Sequence, residues 1–446
     1  MQLAQECKTP GVRQLKFLVF VLAILINQFS IGQTFQQKFV TDDVTNFWNA
    51  YQKIRSTKDS SQQYQFLRDY YISKATEGLK QLIEVRNYTE KDFIDAINNY
   101  PRFWASIKEN TLTVQNLMAE IQANLLKLKH AYPGLKPATI YFAVGAFRTN
   151  GTTQDQNILI ASEMSLADSS TVIDELPARL HSFYKEYQPR KNLPFLCTHE
   201  YIHTQQKKMV ENLLSNCLYE GIAEFVASTA TGKKSPSPAI EFGKANQDNV
   251  VKQFVADLFI MSNDNNWLWG ENKNHFKVRD LGYYIGYEIC ERYYSSSADQ
   301  LKAIRELIEL DYTNEQQVER IVNSTHFLPK NLNQLYNDYE QQRPKVVSIR
   351  PFKNGSKKVK PGLTKITITF SKPLNRYNTS IDFGPLGKEA MPKINNERIW
   401  AKDGTSWTFE VDLKPNRRYQ ILISNNFRTK EEIRLKPYLI DITTTK

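Results

Sequence analysis

Residues Leu193-Pro194-Phe195-Leu196-Cys197-Thr198-His199-Glu200-Tyr201-Ile202-His203-Thr204-Gln205-Gln206 carry the densest chemistry in a 446-residue chain that has only six histidines. Asn192 stands where a helix cap would stand. Pro194 is tolerated in a first turn, where its missing N–H would have had no partner anyway. The stretch therefore predicts a helix. Residues four apart share a helix face, so the imidazoles of His199 and His203 project side by side, one turn apart. Two neutral imidazoles held this way can fill two corners of a tetrahedral Zn²⁺ site. Glu200 lies beside the pair, placed to take a proton from a water activated there without itself binding the metal. The plainer alternative is two surface histidines on an amphipathic helix.

A catalytic zinc site also wants a third protein ligand and an open fourth position. Tyr219-Glu220-Gly221-Ile222-Ala223-Glu224-Phe225 falls on a second predicted helix, after a short break around Asn212–Asn216. The His-Glu-x-x-His string is an arrangement of zinc peptidases. With Glu220-Gly221-x-Ala223 downstream, the chain over about 140–310 resembles the gluzincin superfamily, and looks closest to zinc-dependent proteases of bacterial envelopes. The resemblance implies Zn²⁺ held by His199, His203 and Glu220, a peptide or protein substrate, and Glu200 as general base. It also implies that Glu224 orients the first histidine, as a carboxylate accepting the second ring N–H of a metal-bound imidazole does. Exchanged roles for Glu220 and Glu224 are the alternative. The G-x-M-x-N segment of the aminopeptidase branch is absent, so the resemblance does not extend to that activity.

Asp280-Leu281-Gly282-Tyr283-Tyr284-Ile285-Gly286 reads as a further helix start, with Asp280 as cap and two glycines on one face permitting close packing. Peptide hydrolysis builds negative charge on the attacked carbonyl oxygen, and a donor near the metal would stabilise it. Tyr284, Tyr283 and His275 are the candidates, with Tyr284 preferred. Packing tyrosines are the equal alternative. His130, His181 and His326 have no partners in sequence and are assigned to structure.

Around this centre the chain divides in style. Residues 39–129 carry apolar stripes at helical spacing, beginning with Val44, Phe47, Tyr51 and Ile54. Thr139–Val144 and Ile158–Ala161 read as two strands joined by a polar loop containing Asn150-Gly151-Thr152-Thr153. The second strand is expected to offer its edge to an extended peptide. One small sheet in a helical setting predicts an α+β fold with a zincin-like catalytic domain. After residue 344 the period changes to two, in Lys365–Phe370, Trp407–Leu413, Tyr419–Ile423 and Leu439–Ile442, with turn signals between. The run from Val347 to Leu374 resembles a bacterial Ig-like domain, so 345–446 is expected to form an all-β Ig-like sandwich.

The ends differ from the middle in charge. Residues 345–446 hold 21 Lys/Arg against 9 Asp/Glu, whereas 33–344 sum to −3 within a chain of net charge +11. The basicity thus belongs to one domain. The loops of that domain could bind envelope components or acidic glycans, a solvated basic spacer is the plainer reading, and no nucleic-acid partner is expected. Lys8, Arg13 and Lys16 precede the apolar run Phe17–Ile26, and small residues Ser30 and Gly32 precede Gln33. That is the pattern of a signal peptide over 1–32, implying a secreted or periplasmic, cell-envelope protein with no stable membrane span once it is removed. The expected organisation is then signal peptide 1–32, helical leader and metallopeptidase domain 33–344, and sandwich 345–446. Four cysteines exclude a disulfide-built scaffold, and Cys197, Cys217 and Cys290 are expected to be buried. Two other functions stay open on sequence. One is a non-catalytic exported binding or assembly protein with a structural or vestigial metal site; the other is zinc hydrolysis of a non-peptide amide.

Overall fold

The computed structural model describes residues 35–260, 264–269 and 276–446. The signal-peptide reading of 1–32 and the candidate His275 lie outside the described residues. The fold is α+β: a mainly helical body with a small sheet, followed by a strand-rich C-terminal region.

The first helices follow from caps and apolar stripes. Asp59 accepts from the backbone of Ser61 and Gln62 to start Ser60–Tyr70. Thr89 and Asp92 close a reciprocal capping box on Glu90–Asn99, satisfying donors that a helix start leaves bare. Pro101 opens Pro101–Leu112 at a position where its missing N–H costs nothing. These helices do not form a separate leader core. Buried side chains run in one cluster from Val44 to Leu335. The Tyr71 hydroxyl donates to Val144 O at 2.5 Å and accepts from Val144 N at 3.0 Å, tying the leader to the sheet.

That sheet has four strands: β1 (Lys38–Val40), β2 (Thr139–Ala143), β3 (Gly151–Gln154) and β4 (Asn157–Ala161), in the order β1-β2-β4-β3. The first three in space are parallel, and β3 runs antiparallel on β4 with Gly151 opposite Ile160. The expected edge strand is therefore corrected. Ile158–Ala161 lies inside the sheet, and the edge is β3, in the stretch that reads as a polar loop. Gly-Thr-Thr-Gln has one buried and three half-buried residues, none of them apolar beyond the glycine, and four residues are too few to show a period.

The helix with the histidine pair spans Pro189–His203 and begins four residues earlier than a cap at Asn192 indicates. Pro189 takes its first position after Gln188 turns the chain through a left-handed conformation (φ 44°). Pro194 sits inside the helix and removes one of its hydrogen bonds. The second helix, Leu213–Thr231, starts at Asn212, whose Oδ1 accepts from Ser215 N at 2.8 Å, and ends at Gly232 with φ 70°. The third spans Leu281–Ser296. It crosses the second backbone to backbone: a Cβ on Gly286 would lie 1.8 Å from Cys217 O, and one on Gly221 would lie 2.2 Å from Gly286 C. Asp280 does not cap this helix with its side chain. Its Oδ1 accepts instead from Trp269 N at 2.9 Å. Cys197, Cys217 and Cys290 are all fully buried.

The C-terminal region holds β5 (Val346–Arg350), β6 (Gly362–Phe370), β7 (Ile381–Asp382), β8 (Lys393–Trp400), β9 (Ser406–Leu413), β10 (Arg418–Ile423) and β11 (Tyr438–Thr443). They form two antiparallel sheets, β5-β6-β9-β8 and β11-β10-β7. Ile366, Ile368 and Phe370 share one buried cluster with Trp407, Phe409, Val411, Tyr419, Ile421 and Ile440, and this cluster shares no residue with the helical one. Among the described residues no helix is long and apolar enough to cross a membrane.

Candidate metal centre

The two helices bring His199, His203 and Glu220 to one buried point. His199 Nε2 and His203 Nε2 are 3.0 Å apart, and Glu220 Oε2 lies 3.3 Å from each. The outer ring nitrogens face acceptors: His199 Nδ1 is 2.8 Å from Glu224 Oε2, and His203 Nδ1 is 2.7 Å from Gln206 Oε1. If each Nδ1 carries the proton that its acceptor demands, both Nε2 lone pairs point at each other and at a carboxylate oxygen. Among the described residues, the buried Glu220 Oε2 has no better partner than these two ring nitrogens at 3.3 Å. Such a cluster calls for a cation. Three donor atoms about 3.3 Å apart also match the edges of a tetrahedron with ligand bonds of about 2.0–2.1 Å, the values for zinc with nitrogen and oxygen. The residues fit a zinc ion.

The electrostatics point the same way. Burial opposes a charge on His199, but hydrogen bonds and charges from Glu220 and Glu224 outweigh it and hold its pKa up at about 10. Burial likewise opposes the Glu220 carboxylate, yet the two histidines hold it well below the usual range. A dication would take over the neutralising role that a proton plays here. Glu200 is buried on the same helix. Burial raises its pKa, His203, His199 and Arg86 pull it down, Glu220 pushes it up, and the net direction is upward. A Cβ on Gly151 would come within 2.7 Å of Glu200 Oε1, so the edge strand β3 passes directly against this carboxyl group.

Tyr284 is not brought to the centre. It is fully buried against Gly243 and Phe327, and its hydroxyl donates to Gln247 Oε1 at 3.2 Å. The helix presents Tyr283 instead. That ring stacks on His199 with centroids 6.0 Å apart and 19° between planes, and its hydroxyl interacts with Glu220. The sequence weighs the two neighbours almost equally, since adjacent helix positions differ by about 100° and only the packing partner fixes the rotation.

Three further residues have no sequence signal of their own. Tyr219 stacks on His203 at 4.3 Å and 12°, Gln206 links His203 to the Tyr219 carbonyl at 3.0 Å, and Trp269 Nε1 donates to Glu220 Oε1 at 3.2 Å. The Trp269 contact occupies one carboxylate oxygen and leaves Oε2 for the histidines. Ser235 donates to Glu224 Oε1, completing the support behind His199.

Fold and site together describe an α+β chain with a buried His/His/Glu group able to hold a metal ion. Residues 158–313 match the model of a family described as "Predicted Zn-dependent protease (DUF2268)". No curated protein matches. Among solved structures, the S-layer protein rSbsC(31-844) and domains 1–6 of surface layer protein SbsC match at 11% and 12% identity, each with a TM-score of 0.18. Both matches cover 74% of this chain and 46% of the other, so the chain spans less than half the length of those structures. At that TM-score the likeness carries no argument about fold or function.

Proposed function

We propose that this protein is an exported, zinc-dependent peptidase of the gluzincin type. The observation that carries the reading is the convergence of His199 Nε2, His203 Nε2 and Glu220 Oε2 within 3.3 Å of one another, with the buried Glu200 carboxyl on the same helix. His199, His203 and Glu220 would hold the ion, and Glu224 and Gln206 would fix the two imidazole orientations. When bound, zinc supplies a Lewis acid that acidifies water and polarises a carbonyl.

The rest is done by the chain's own groups. Glu200 accepts the proton of the attacking water and returns it to the leaving amine, a task suited to a carboxyl whose proton affinity is raised by burial. The edge of β3 offers its backbone to an extended peptide, which β-augmentation aligns beside Glu200. Tyr283 is the phenol placed to donate to the developing oxyanion. Export rests on the pattern in residues 1–32. The C-terminal region is read as Ig-like, on a strand order that corresponds to the A-B-E-D and G-F-C sheets of that fold. Its surplus of 12 positive charges suits contact with acidic polymers of a cell envelope.

The test is parallel measurement of bound zinc and peptide cleavage for residues 33–446 and the Glu200→Gln variant. The variant is expected to keep its metal and lose cleavage by about 10²–10⁴-fold, the range for removal of a general base. Undiminished cleavage overturns the role of Glu200, and failure of the wild type to take up a transition metal overturns the enzyme.

A further inference from the structure

Two arginines meet where the helical leader touches the start of β3, and they are treated differently. Arg148 is satisfied: its guanidinium lies 2.8 Å from Asp92 Oδ1 and donates to the carbonyls of Arg86 and Asn87 at 2.8 and 2.6 Å. Arg86, at the end of helix Glu77–Val85, makes no direct ion pair among the described residues, although its charge acts on the nearby Glu200 carboxyl. One terminal nitrogen donates to Thr149 Oγ1 at 3.1 Å, and its buried Nε has no hydrogen-bond partner among the described residues. Buried donors in native proteins are almost always satisfied, so an orphaned guanidinium nitrogen asks what satisfies it in use.

Its position supplies the answer. Thr149 Oγ1 passes the contact on to Gly151 O at 2.5 Å, and Gly151 is the residue whose Cα faces Glu200 Oε1. Arg86 is therefore linked through two short steps to the backbone beside Glu200. The strand direction adds a constraint. β3 runs from Gly151 to Gln154, so a peptide lying antiparallel on it runs toward Gly151, and its C-terminal side is delivered to the Thr149–Arg86 corner. A guanidinium is a planar fork of donors matched to a carboxylate, and it stays charged at any working pH.

We propose that Arg86 is a specificity-determining residue that binds a carboxylate of the substrate peptide downstream of the scissile bond. This deepens the peptidase reading and rests on it. The carboxylate can be the peptide's own C-terminus or an Asp or Glu side chain. Arg86 thereby gives the helical leader a direct part in substrate choice.

The test uses zinc-loaded Glu200→Gln protein, which holds peptides without turning them over, with and without Arg86→Gln. Three synthetic peptide libraries of matched composition are offered: free C-terminal acid, C-terminal amide, and amide with Asp and Glu replaced by Asn and Gln. At least tenfold weaker binding is expected at the step that removes the recognised carboxylate, and Arg86→Gln is expected to abolish that difference while leaving zinc content and melting temperature unchanged. Loss between the first two libraries identifies the C-terminus; loss between the second and third identifies a side chain. Arg86→Lys should recover part of the preference, because charge returns without the fork. Equal binding of all three libraries, no binding of any, or a preference that survives Arg86→Gln overturns the proposal. Cleavage by the Glu200-intact protein separates the two readings. Hydrolysis without acidic preference removes the role of Arg86 and keeps the peptidase, whereas an Arg86-dependent preference in binding with no hydrolysis does the reverse.

Discussion

Tyr283 and Tyr284 show how one helix position separates a site residue from a packing residue. Tyr283 stacks on His199, whereas the Tyr284 hydroxyl is spent on Gln247. Tyr283→Phe is expected to lower kcat by about 10²-fold, the scale for losing one oxyanion donor, with Tyr284→Phe leaving kcat unchanged; steady-state kinetics on one peptide decides it. Glu163 makes a prediction about stability. It is fully buried, and burial pushes its pKa up to about 7 against hydrogen bonds from the backbone of Gly145 and Phe147 at 2.8 and 3.2 Å. Below about pH 4.5 both folded and unfolded chains hold the proton, so this group costs nothing there. Between 4.5 and 7 the unfolded chain ionises first, so stability falls as pH rises, by roughly 3 kcal/mol in total, and then levels off. Urea unfolding at pH 5 and pH 8 should show that loss in the wild type and a smaller one in Glu163→Gln.

At the scale of elements, the crossing of Leu213–Thr231 with Leu281–Ser296 sets the site. Contact at Gly221 and Gly286 removes the side-chain layer that normally separates helices, and so carries Tyr283 to His199 and Glu220. Gly286→Ala would place a methyl 1.8 Å from a backbone carbonyl, which no rotamer relieves. The helices must part, at a cost of about 1–3 kcal/mol or more. Thermal unfolding should show the loss, and zinc affinity should fall with it, because Glu220 rides on the displaced helix. The sequence discloses Gly286, with Gly282, as a means of close packing, but not that Gly286 meets the backbone at Cys217 and Gly221. The edge strand β3 was not legible at all. Thr152 and Thr153 favour a strand, but four residues without alternation give no period to read.

For the whole molecule, the absence of shared residues between the helical and sandwich clusters predicts separable folding units. Residues 33–344 and 345–446, made apart, should each melt cooperatively. Only the first should respond to zinc, gaining about 2.7 kcal/mol when the free ion stands at 100 times its Kd, and a chelator should reverse the gain. A sandwich that melts only when attached, or one that zinc stabilises, would contradict this. The leader behaves otherwise. It shares its core with the site region and supplies Arg86, so removing 35–131 should unfold the helical body, not release a more active enzyme.

Local rules were enough for much of this protein. Residues four apart on a helix must share a face, so the sequence alone determined that His199 and His203 act as a pair with Glu200 beside them. Alternation over 365–370 and 407–413 likewise determined which side of the C-terminal strands is buried, since side chains on a strand must alternate. Tertiary structure decided everything that depends on two elements meeting. It set which carboxylate reaches the ring nitrogens, which tyrosine faces the site, which strand forms the edge and which arginine keeps a buried nitrogen without a hydrogen-bond partner among the described residues. The reason is one of range: backbone geometry fixes relations over one or two turns, while the rotation and spacing between helices are set by side chains far apart in the chain, such as Gly221 against Gly286.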